Sequence, residues 1–204
     1  MKRISAYKRL QDLPEVFTTK ALASRLGGDM RLTSVYIHRW RTEGLISSMG
    51  PRAGLHFNLA RNPKAEEELR MEALAYLFPG AMIAGVSAVH AAGWTTQIPS
   101  ETEIMVPMRR SFPSVDGFSI EGRGRDWLNE ARRHIARPGP VPMVEPAFAL
   151  ADLWQTGSWR PDPDDLEWDI IDGAALKAAF QSLGNEVPDA WLPELEAEQM
   201  SLGF

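Results

Sequence analysis

The chain has 204 residues, of which 44% are hydrophobic and 24% charged, the composition of an ordinary globular protein. It contains no cysteine, which excludes both a disulfide framework and a thiolate metal site. Its net charge of −5, taken alone, argues against a nucleic-acid-binding protein.

The distribution of charge reverses that argument. Residues 1–65 carry twelve Lys and Arg against four Asp and Glu, a formal charge of +8. Residues 66–204 carry ten against twenty-three, a formal charge of −13. Such asymmetry is typical of a basic binding module attached to a second domain.

No membrane segment is expected. The basic start MKRISAYKRLQD lacks the apolar core of a signal peptide. Residues 73–100 are uncharged, but Pro79, Gly85 and Gly93 interrupt them, whereas a spanning helix needs an unbroken run of about 20 apolar residues. We therefore expect buried core here, in a cytoplasmic protein without a membrane partner.

Two short helices are predicted first. Apolar residues spaced by threes predict a helix over Ile4–Leu13, which Pro14 ends. Thr18 or Thr19 can cap the next helix. Its apolar face is formed by Ala21, Leu22 and Leu26, and Gly27-Gly28 allows a sharp turn after it.

A third helix is predicted between a cap at Asp29 or Thr33 and a stop at Gly44. Thr33, Ile37 and Trp40 share its inner face, with Tyr36 at the flank. The outer face is polar and cationic, and it presents Arg31, Ser34, Val35, His38 and Arg41.

A β-hairpin is predicted next. Leu45-Ile46 forms one strand, and Leu55, Phe57 and Leu59 alternate as in a half-buried second strand. The loop Gly50–Gly54 joins them. Helix, helix, turn, helix and hairpin is the order of a winged helix-turn-helix, which predicts a DNA-binding domain over residues 1–62.

Eight residues are predicted to contact double-stranded DNA. On the third helix, Arg31, Ser34 and His38 are candidates for base edges, and Val35 for a thymine methyl group. The candidates for phosphate are Lys20, Arg39, Arg41 and, at the wing tip, Arg52. Two alternatives remain: an exposed basic face that is merely solvated, and a winged helix that docks a protein.

Residues 63–204 predict a mixed α+β domain rather than alternating βαβ units. Strands are predicted at 103–106, 117–121 and 141–144, and residues 123–136 are ambiguous between helix and strand. The predicted helices are Glu66–Leu77, 87–92 with Ser87 as cap, one from Pro146, 164–171, 174–183 and 189–200. The fold class is therefore α+β, with an N-terminal winged helix-turn-helix before a mixed C-terminal domain.

Catalytic and metal-binding patterns are weak. Ser87 and His90 lie at i and i+3 on one helix, which favours a helix cap and a hydrogen-bonded core histidine over a hydrolase site. The acidic run from Asp162 to Asp172 lacks the glycine-punctuated spacing of an EF-hand loop, and phosphate-binding glycine loops are absent. We expect neither catalysis nor a cofactor.

Three segments carry a family resemblance. They are LPEVFTTKALASRLG with VYIHRWRTEGLISSMGPRAGLHFNL, then LFPGAMIAGVSAVHAAGWTTQIPSETEIMVP, then VEPAFALADLW. Together they resemble the AbiEi-type antitoxins of type IV toxin–antitoxin systems, over most of the chain to about Trp168. The middle segment, with Ser87-Ala88, His90 and Gly93-Trp94, is the most informative, and Pro146–Asp152 also fits the pattern.

The resemblance implies a transcriptional repressor and antitoxin. In that family the winged helix binds inverted repeats in its own promoter. The C-terminal part, here 63–204, opposes a nucleotidyltransferase toxin without requiring a stable complex. DNA contacts would map onto the helix 31–41 and onto Arg52. This chain departs at the wing, where Ala53-Gly54-Leu55-His56-Phe57 replaces the family's frequent Arg-Gly-x-Tyr. An orphan regulator or a protein-interaction adaptor remains the alternative, and a hydrolase a more distant one.

Overall fold

The computed structural model describes residues 6–201, with the side chains of residues 6–196. The described chain forms two compact units. The first contains residues 6–79 together with Arg110–Asp116, and the second contains Gly80–Arg109 with residues 117–201. The units therefore divide elsewhere than at the linker predicted around residues 62 and 63, because the helix after that linker packs on the first sheet. Ile4, the predicted start of the first helix, lies outside the described residues.

Three helices of the first unit form in the predicted order. They are α1 (Ala6–Gln11), α2 (Thr19–Arg25) and α3 (Met30–Thr42). The Thr18 hydroxyl caps α2 by accepting the N–H of Ala21 at 3.0 Å, and Asp29 caps α3 by accepting the N–H of Leu32 at 2.9 Å. Gly44 follows α3 with a φ of 66°, the left-handed conformation that glycine supplies after a helix.

A three-stranded antiparallel sheet completes this region, with the spatial order β1-β3-β2. Its strands are β1 (Val16–Thr18), β2 (Ile46–Ser48) and β3 (Leu55–Asn58). The β2–β3 hairpin confirms the prediction. Strand β1 was not anticipated, because three residues are too few to show the alternation of a strand.

Strand β3 is buried along its whole length, so the prediction of a half-buried strand was wrong. Neighbouring residues of a strand point to opposite faces, so His56 and Asn58 share the face of Phe17, which packs with α1–α3. Leu55 and Phe57 point to the other face. Helix α4 (Ala65–Glu68) covers that second face, which leaves β3 in the middle of three layers.

The side-chain nitrogen of Asn58 is satisfied inside the protein, whereas its buried Oδ1 has no hydrogen-bond partner among the described residues. The nitrogen donates to the C=O of Leu10 at 2.8 Å and to the C=O of Leu13 at 3.2 Å. The C=O of Leu10 also accepts the N–H of Leu13 at 3.0 Å, so Asn58 supplies a second donor to the end of α1. A fully buried side chain thereby holds α1 on the sheet.

Two further segments complete the first unit. Helix α5 (Arg70–Leu77) follows α4 after a break at Leu69, so the single helix predicted over Glu66–Leu77 is two helices. Residues 110–116 then reach the end of β2, where the N–H of Asp116 donates to the C=O of Met49 at 3.0 Å.

The second unit is built on a five-stranded mixed sheet with the spatial order β6-β5-β4-β8-β7. Its strands are β4 (Met82–Ile83), β5 (Thr102–Pro107), β6 (Phe118–Arg123), β7 (Ile135–Arg137) and β8 (Met143–Val144). The pairs β5–β6 and β4–β8 are parallel, and the other two are antiparallel. Helices and two sheets give the whole described chain the mixed α+β class that the sequence predicts.

Helix α8 forms the centre of the second core. The helices of this unit are α6 (Gly85–Ala91), α7 (Arg125–Ala131), α8 (Pro146–Thr156), α9 (Gly173–Ser182) and α10 (Leu192–Ser201). Residues 147–153 of α8 are all buried, and α6 and α9 pack against it. Pro146 occupies its first turn, where a missing N–H costs nothing.

The prediction of a helix over residues 164–171 was wrong. Two short 3₁₀ turns, Pro163–Asp165 and Trp168–Ile170, occupy that stretch. Between them the N–H of Glu167 donates to the C=O of Trp94 at 3.0 Å, so a long-range backbone bond replaces helical bonding. Within residues 6–201, no helix is both long enough and apolar enough to cross a membrane.

We predict that Asn58→Ala destabilises the protein by about 2 kcal/mol, because it removes two buried hydrogen bonds that join β3 to the chain at and just after the end of α1. The measurement is urea-induced unfolding followed by circular dichroism. Asn129→Ala, at an exposed position of α7, is the control and should change stability little. Equal losses in the two variants would contradict this role of Asn58.

Candidate nucleic-acid interface

Helix α3 carries five of the eight predicted contacts on one side. Thr33 and Trp40 are completely buried and define its inner face. At about 100° per residue, the five outward residues fall within an arc of about 120° on the opposite side. They are Arg31, Ser34, Val35, His38 and Arg41, and all are exposed. Val35 keeps 57% of its surface exposed at one edge of this arc, an unusual place for an apolar side chain.

Arg39 stands apart from this group. It lies about 160° around the helix from Arg41, on the opposite flank. Its Nε donates to Glu43 Oε1 at 2.8 Å, and this hydrogen bond raises the pKa of Arg39. The prediction grouped Arg39 with Arg41 as phosphate contacts, but the structure does not bring the two guanidinium groups together.

The hairpin tip holds Arg52 in an unusual backbone conformation. The N–H of Ala53 donates to the C=O of Gly50 at 3.3 Å, which closes a four-residue turn with Pro51 second and Arg52 third. Arg52 has a φ of 63° and is the one residue other than glycine with positive φ among those described. A type II turn requires positive φ at its third position, where glycine or asparagine is usual. An exposed arginine is thus kept at a position that suits glycine better.

A chain of hydrogen bonds connects α3 to the hairpin and to α2. The Arg41 guanidinium donates to Ser48 Oγ on β2 at 2.6 Å. Ser48 Oγ lies 2.8 Å from His56 Nδ1 on β3, and His56 Nε2 lies 2.9 Å from Thr19 Oγ1 at the start of α2. Arg41 is therefore oriented towards the hairpin, although its side chain is exposed.

Either neutral tautomer of His56 satisfies these bonds. Ser48 Oγ accepts from Arg41, and it can donate its own hydrogen to His56 Nδ1 or accept a second hydrogen from it. Thr19 Oγ1 takes the complementary role at Nε2. Burial, assisted by the charge of Arg41, lowers the pKa of His56 from 6.5 to about 4, which keeps the ring neutral at physiological pH.

A cleft of about 430 Å³ opens beside this network. Its lining includes Arg41, Ser48, Pro51 and Asp116, so the guanidinium group of α3 and the hairpin turn face the same space. The cleft combines one cation, hydroxyl groups and a carboxylate. It offers room for an extended chain lying between α3 and the hairpin.

Lys20 is exposed in the first turn of α2. The residue before it, Thr19, donates its N–H to the C=O of Gly54 at 2.8 Å, so the start of α2 lies beside the hairpin loop. Lys20 is thereby attached to the same part of the unit as Arg52.

Ser48, His56 and Thr19 were missed by sequence reasoning. Each is a common polar residue, and their partners in this network are 7 to 37 positions away along the chain. A signal was present in the alternation Leu55-His56-Phe57-Asn58, which places two polar side chains on one face of a strand. On a sheet covered on both faces, those two side chains require internal partners.

The Ser87 and His90 pair is not arranged as a nucleophile and base. Ser87 lies inside α6, and its hydroxyl accepts the N–H of Glu103 at 2.9 Å, so the predicted role as a cap was wrong. The Glu103 carboxylate in return accepts the N–H of Ser87 at 3.1 Å and caps the helix from strand β5. Burial raises the pKa of Glu103, although the amides of Ser87 and Val86 oppose that shift.

Asp152, in the pattern Pro146–Asp152, forms a buried ion pair. Its Oδ2 accepts from Arg123 Nη2 at 2.8 Å, and its Oδ1 accepts from Trp127 Nε1 at 2.7 Å. Burial raises the pKa of Asp152, and the Arg123 charge opposes that shift. This pair fixes α8 to β6 and α7. Among the described residues, the acidic run 162–172 forms no group of three ligands suited to a metal ion.

Comparisons with known proteins give a likeness in fold alone. No protein-family model and no curated protein sequence matches the chain. Among solved structures, the crystal structure of RV2827C protein from Mycobacterium tuberculosis is similar, with a TM-score of 0.57. The likeness covers 100% of this chain and 79% of that chain, with 19% sequence identity.

We predict that two substitutions of Arg52 differ in stability. Arg52→Gly should be about 1 kcal/mol more stable than Arg52→Ala, because only glycine adopts the left-handed conformation without strain. Thermal unfolding of the two variants measures the difference. A Gly variant no more stable than the Ala variant would show that the tip is unstrained.

We predict that His56 makes the protein acid-sensitive. The unfolded chain takes up a proton as the pH falls through 6.5, whereas folded His56 resists until about pH 4. Its contribution is complete above pH 6.5 and is lost between pH 6.5 and about 4, in total about 3 kcal/mol.

The test compares urea unfolding at pH 7.5 and at pH 5 in wild type, His56→Gln and His38→Gln. Wild type and the exposed-site control His38→Gln should lose about 2 kcal/mol more than His56→Gln over this interval. Carboxylate groups are common to all three proteins and cancel in the comparison. Identical pH dependence in all three would rule out the buried neutral histidine.

Proposed function

We propose that the first unit is a winged helix-turn-helix that binds double-stranded DNA, with α3 as the recognition helix and the β2–β3 hairpin as the wing. The observation that carries the proposal is the single exposed arc of α3 with a strained arginine at the hairpin tip beside it. Scattered or covered cationic groups would have argued against it.

Each side chain has a specific role in this proposal. Arg31, Ser34 and His38 read base edges in the major groove, and Val35 packs against a thymine methyl group. Arg41 and Lys20 contact phosphate, and the cleft between α3 and the wing receives one DNA backbone. Arg52 reaches the backbone or the minor groove from the wing. Arg39, predicted as a phosphate contact, is assigned to the margin of the interface, because it lies on the other flank of α3 and pairs with Glu43.

We further propose that the protein is a cytoplasmic promoter-binding repressor and the antitoxin of a type IV toxin–antitoxin system. The support is the resemblance of three segments to AbiEi-type antitoxins. In this proposal the first unit binds inverted repeats in its own promoter, and the second unit opposes a nucleotidyltransferase toxin without catalysis or a cofactor. Asp152 and Ser87, two polar residues of those segments, are used within the second unit as structural partners, which leaves no nucleophile assigned.

The central prediction concerns salt dependence. Binding of a labelled fragment of the protein's own promoter should weaken as salt rises, with the slope of log K against log salt near −0.9 per neutralised phosphate. Arg41→Ala combined with Arg52→Ala should weaken binding about tenfold or more and reduce the slope by about 2, since each removes one phosphate contact.

The matched control is Arg133→Ala, which removes a side chain that is 74% exposed on the second unit. It should leave affinity and slope unchanged. Absence of binding, or binding that neither salt nor the double substitution alters, would reject DNA recognition. A partner protein retained at high salt without DNA protection would favour the adaptor instead.

Antitoxin activity is tested separately. The proposal predicts a gene for a nucleotidyltransferase toxin beside this one. Co-expression with that toxin should restore growth, both for the wild type and for the DNA-binding-deficient Arg41→Ala, Arg52→Ala variant. Repression of a promoter reporter should be lost in the variant alone. Growth restored by neither protein would leave an orphan regulator.

A further inference from the structure

Residues 110–116, here called the strap, connect β5 to β6 but belong to the first compact unit. Val115 of the strap is buried, and the ring of Phe112 meets the ring of Phe78 edge-on at 6.3 Å. The Arg70 guanidinium of α5 donates to the C=O of Asp116. The strap is therefore fixed to the first unit at both of its ends.

The strap meets the hairpin where the wing turn begins. The N–H of Asp116 donates to the C=O of Met49, the fully buried residue before Gly50. A Cβ atom built on Gly50 would lie 2.5 Å from the C=O oxygen of Ser114 and 2.9 Å from the Cα of Val115. The N–H of Asp116, the carbonyl oxygen of Ser114 and the Cα of Val115 all belong to the main chain of the strap. Only glycine at position 50 allows them to approach so closely.

We infer that the strap is a positioning element for the wing, with Gly50 as the positioning residue. This inference rests on the proposed DNA-binding function. Gly50 accepts the hydrogen bond that closes the turn and carries Arg52 two residues later. The strap fixes the backbone on one side of that turn, and the bond from Thr19 to Gly54 fixes it on the other. The direction of the Arg52 guanidinium group is set by these two attachments.

The strap therefore governs how much Arg52 contributes to binding, without touching DNA itself. A substitution that displaces the strap should leave Arg52 present but misdirected. Its effect should then be coupled to Arg52 and independent of Arg31, which is on α3 outside the turn. A merely destabilising change would weaken both contributions alike.

The test is a double-mutant cycle on the full chain with the labelled promoter fragment. Arg52→Ala should weaken binding about fivefold in the wild-type background, but less than about twofold in the Gly50→Ala background. Arg31→Ala should weaken binding by the same factor in both. Gly184→Ala is the matched control: Gly184 also has positive φ, 74°, but nothing lies within 4 Å of a Cβ atom built there, and it belongs to the second unit. In the Gly184→Ala background, Arg52→Ala should still weaken binding about fivefold.

The inference is overturned if Arg52→Ala weakens DNA binding by the same factor in the wild-type and Gly50→Ala backgrounds. Should Gly50→Ala not fold, Val115→Ala replaces it, because it loosens the strap without altering the hairpin. If the wild type does not bind DNA, the proposed function is rejected, but the attachment of the strap to the hairpin is not.

Amide hydrogen exchange tests the strap without DNA. Gly50→Ala should accelerate exchange at Asp116 and Ala53 at least about tenfold, and leave Leu45, bonded to Trp40 at 2.8 Å, unchanged. Unaltered exchange at Asp116 and Ala53 would also overturn the inference.

Discussion

Burial of β3 on both faces is the constraint on which the first unit depends. A strand covered on both sides cannot leave polar side chains to water, so His56 and Asn58 must find partners inside the protein. Asn58 finds them at the end of α1, and His56 finds them on β2 and at the start of α2. The partners of two buried side chains thus determine how three helices and three strands are joined.

The same constraint organises the exposed side. Arg41 is the outermost group of the His56 network, so the buried ring indirectly orients a surface cation. A surface arginine is ordinarily mobile, and a fixed guanidinium group loses less conformational entropy when it binds phosphate. Keeping His56 neutral is part of this arrangement, because a second positive charge beside Arg41 would be repelled. The interior of the unit would therefore preorganise the proposed interface.

Sequence features that act within one helix predicted much of this architecture. Contacts between residues far apart in the chain could not be predicted. Helix α3 was predicted correctly because Asp29, Gly44 and the spacing of Thr33 and Trp40 all act within the helix. The exposed arc could therefore be predicted, apart from the pairing of Arg39 with Glu43. Ser87 was misassigned because its partner, Glu103, lies sixteen residues away on a strand. The strap was missed entirely, because its contacts with Gly50 use main-chain atoms that every residue type possesses.

The strap also makes the first unit discontinuous in sequence. A fragment ending at residue 79 would contain every helix and strand of the first unit, yet it would lack residues 110–116; one ending at residue 62 would also lack α4 and α5. The carbonyl of Met49 would then lose its donor, and buried Val115 would leave a gap in the packing. A recombinant fragment that ends at such a continuous boundary would thus have a hairpin loop without the contacts of the strap. A circularly permuted chain, by contrast, keeps residues 110–116 and has its new ends at another position.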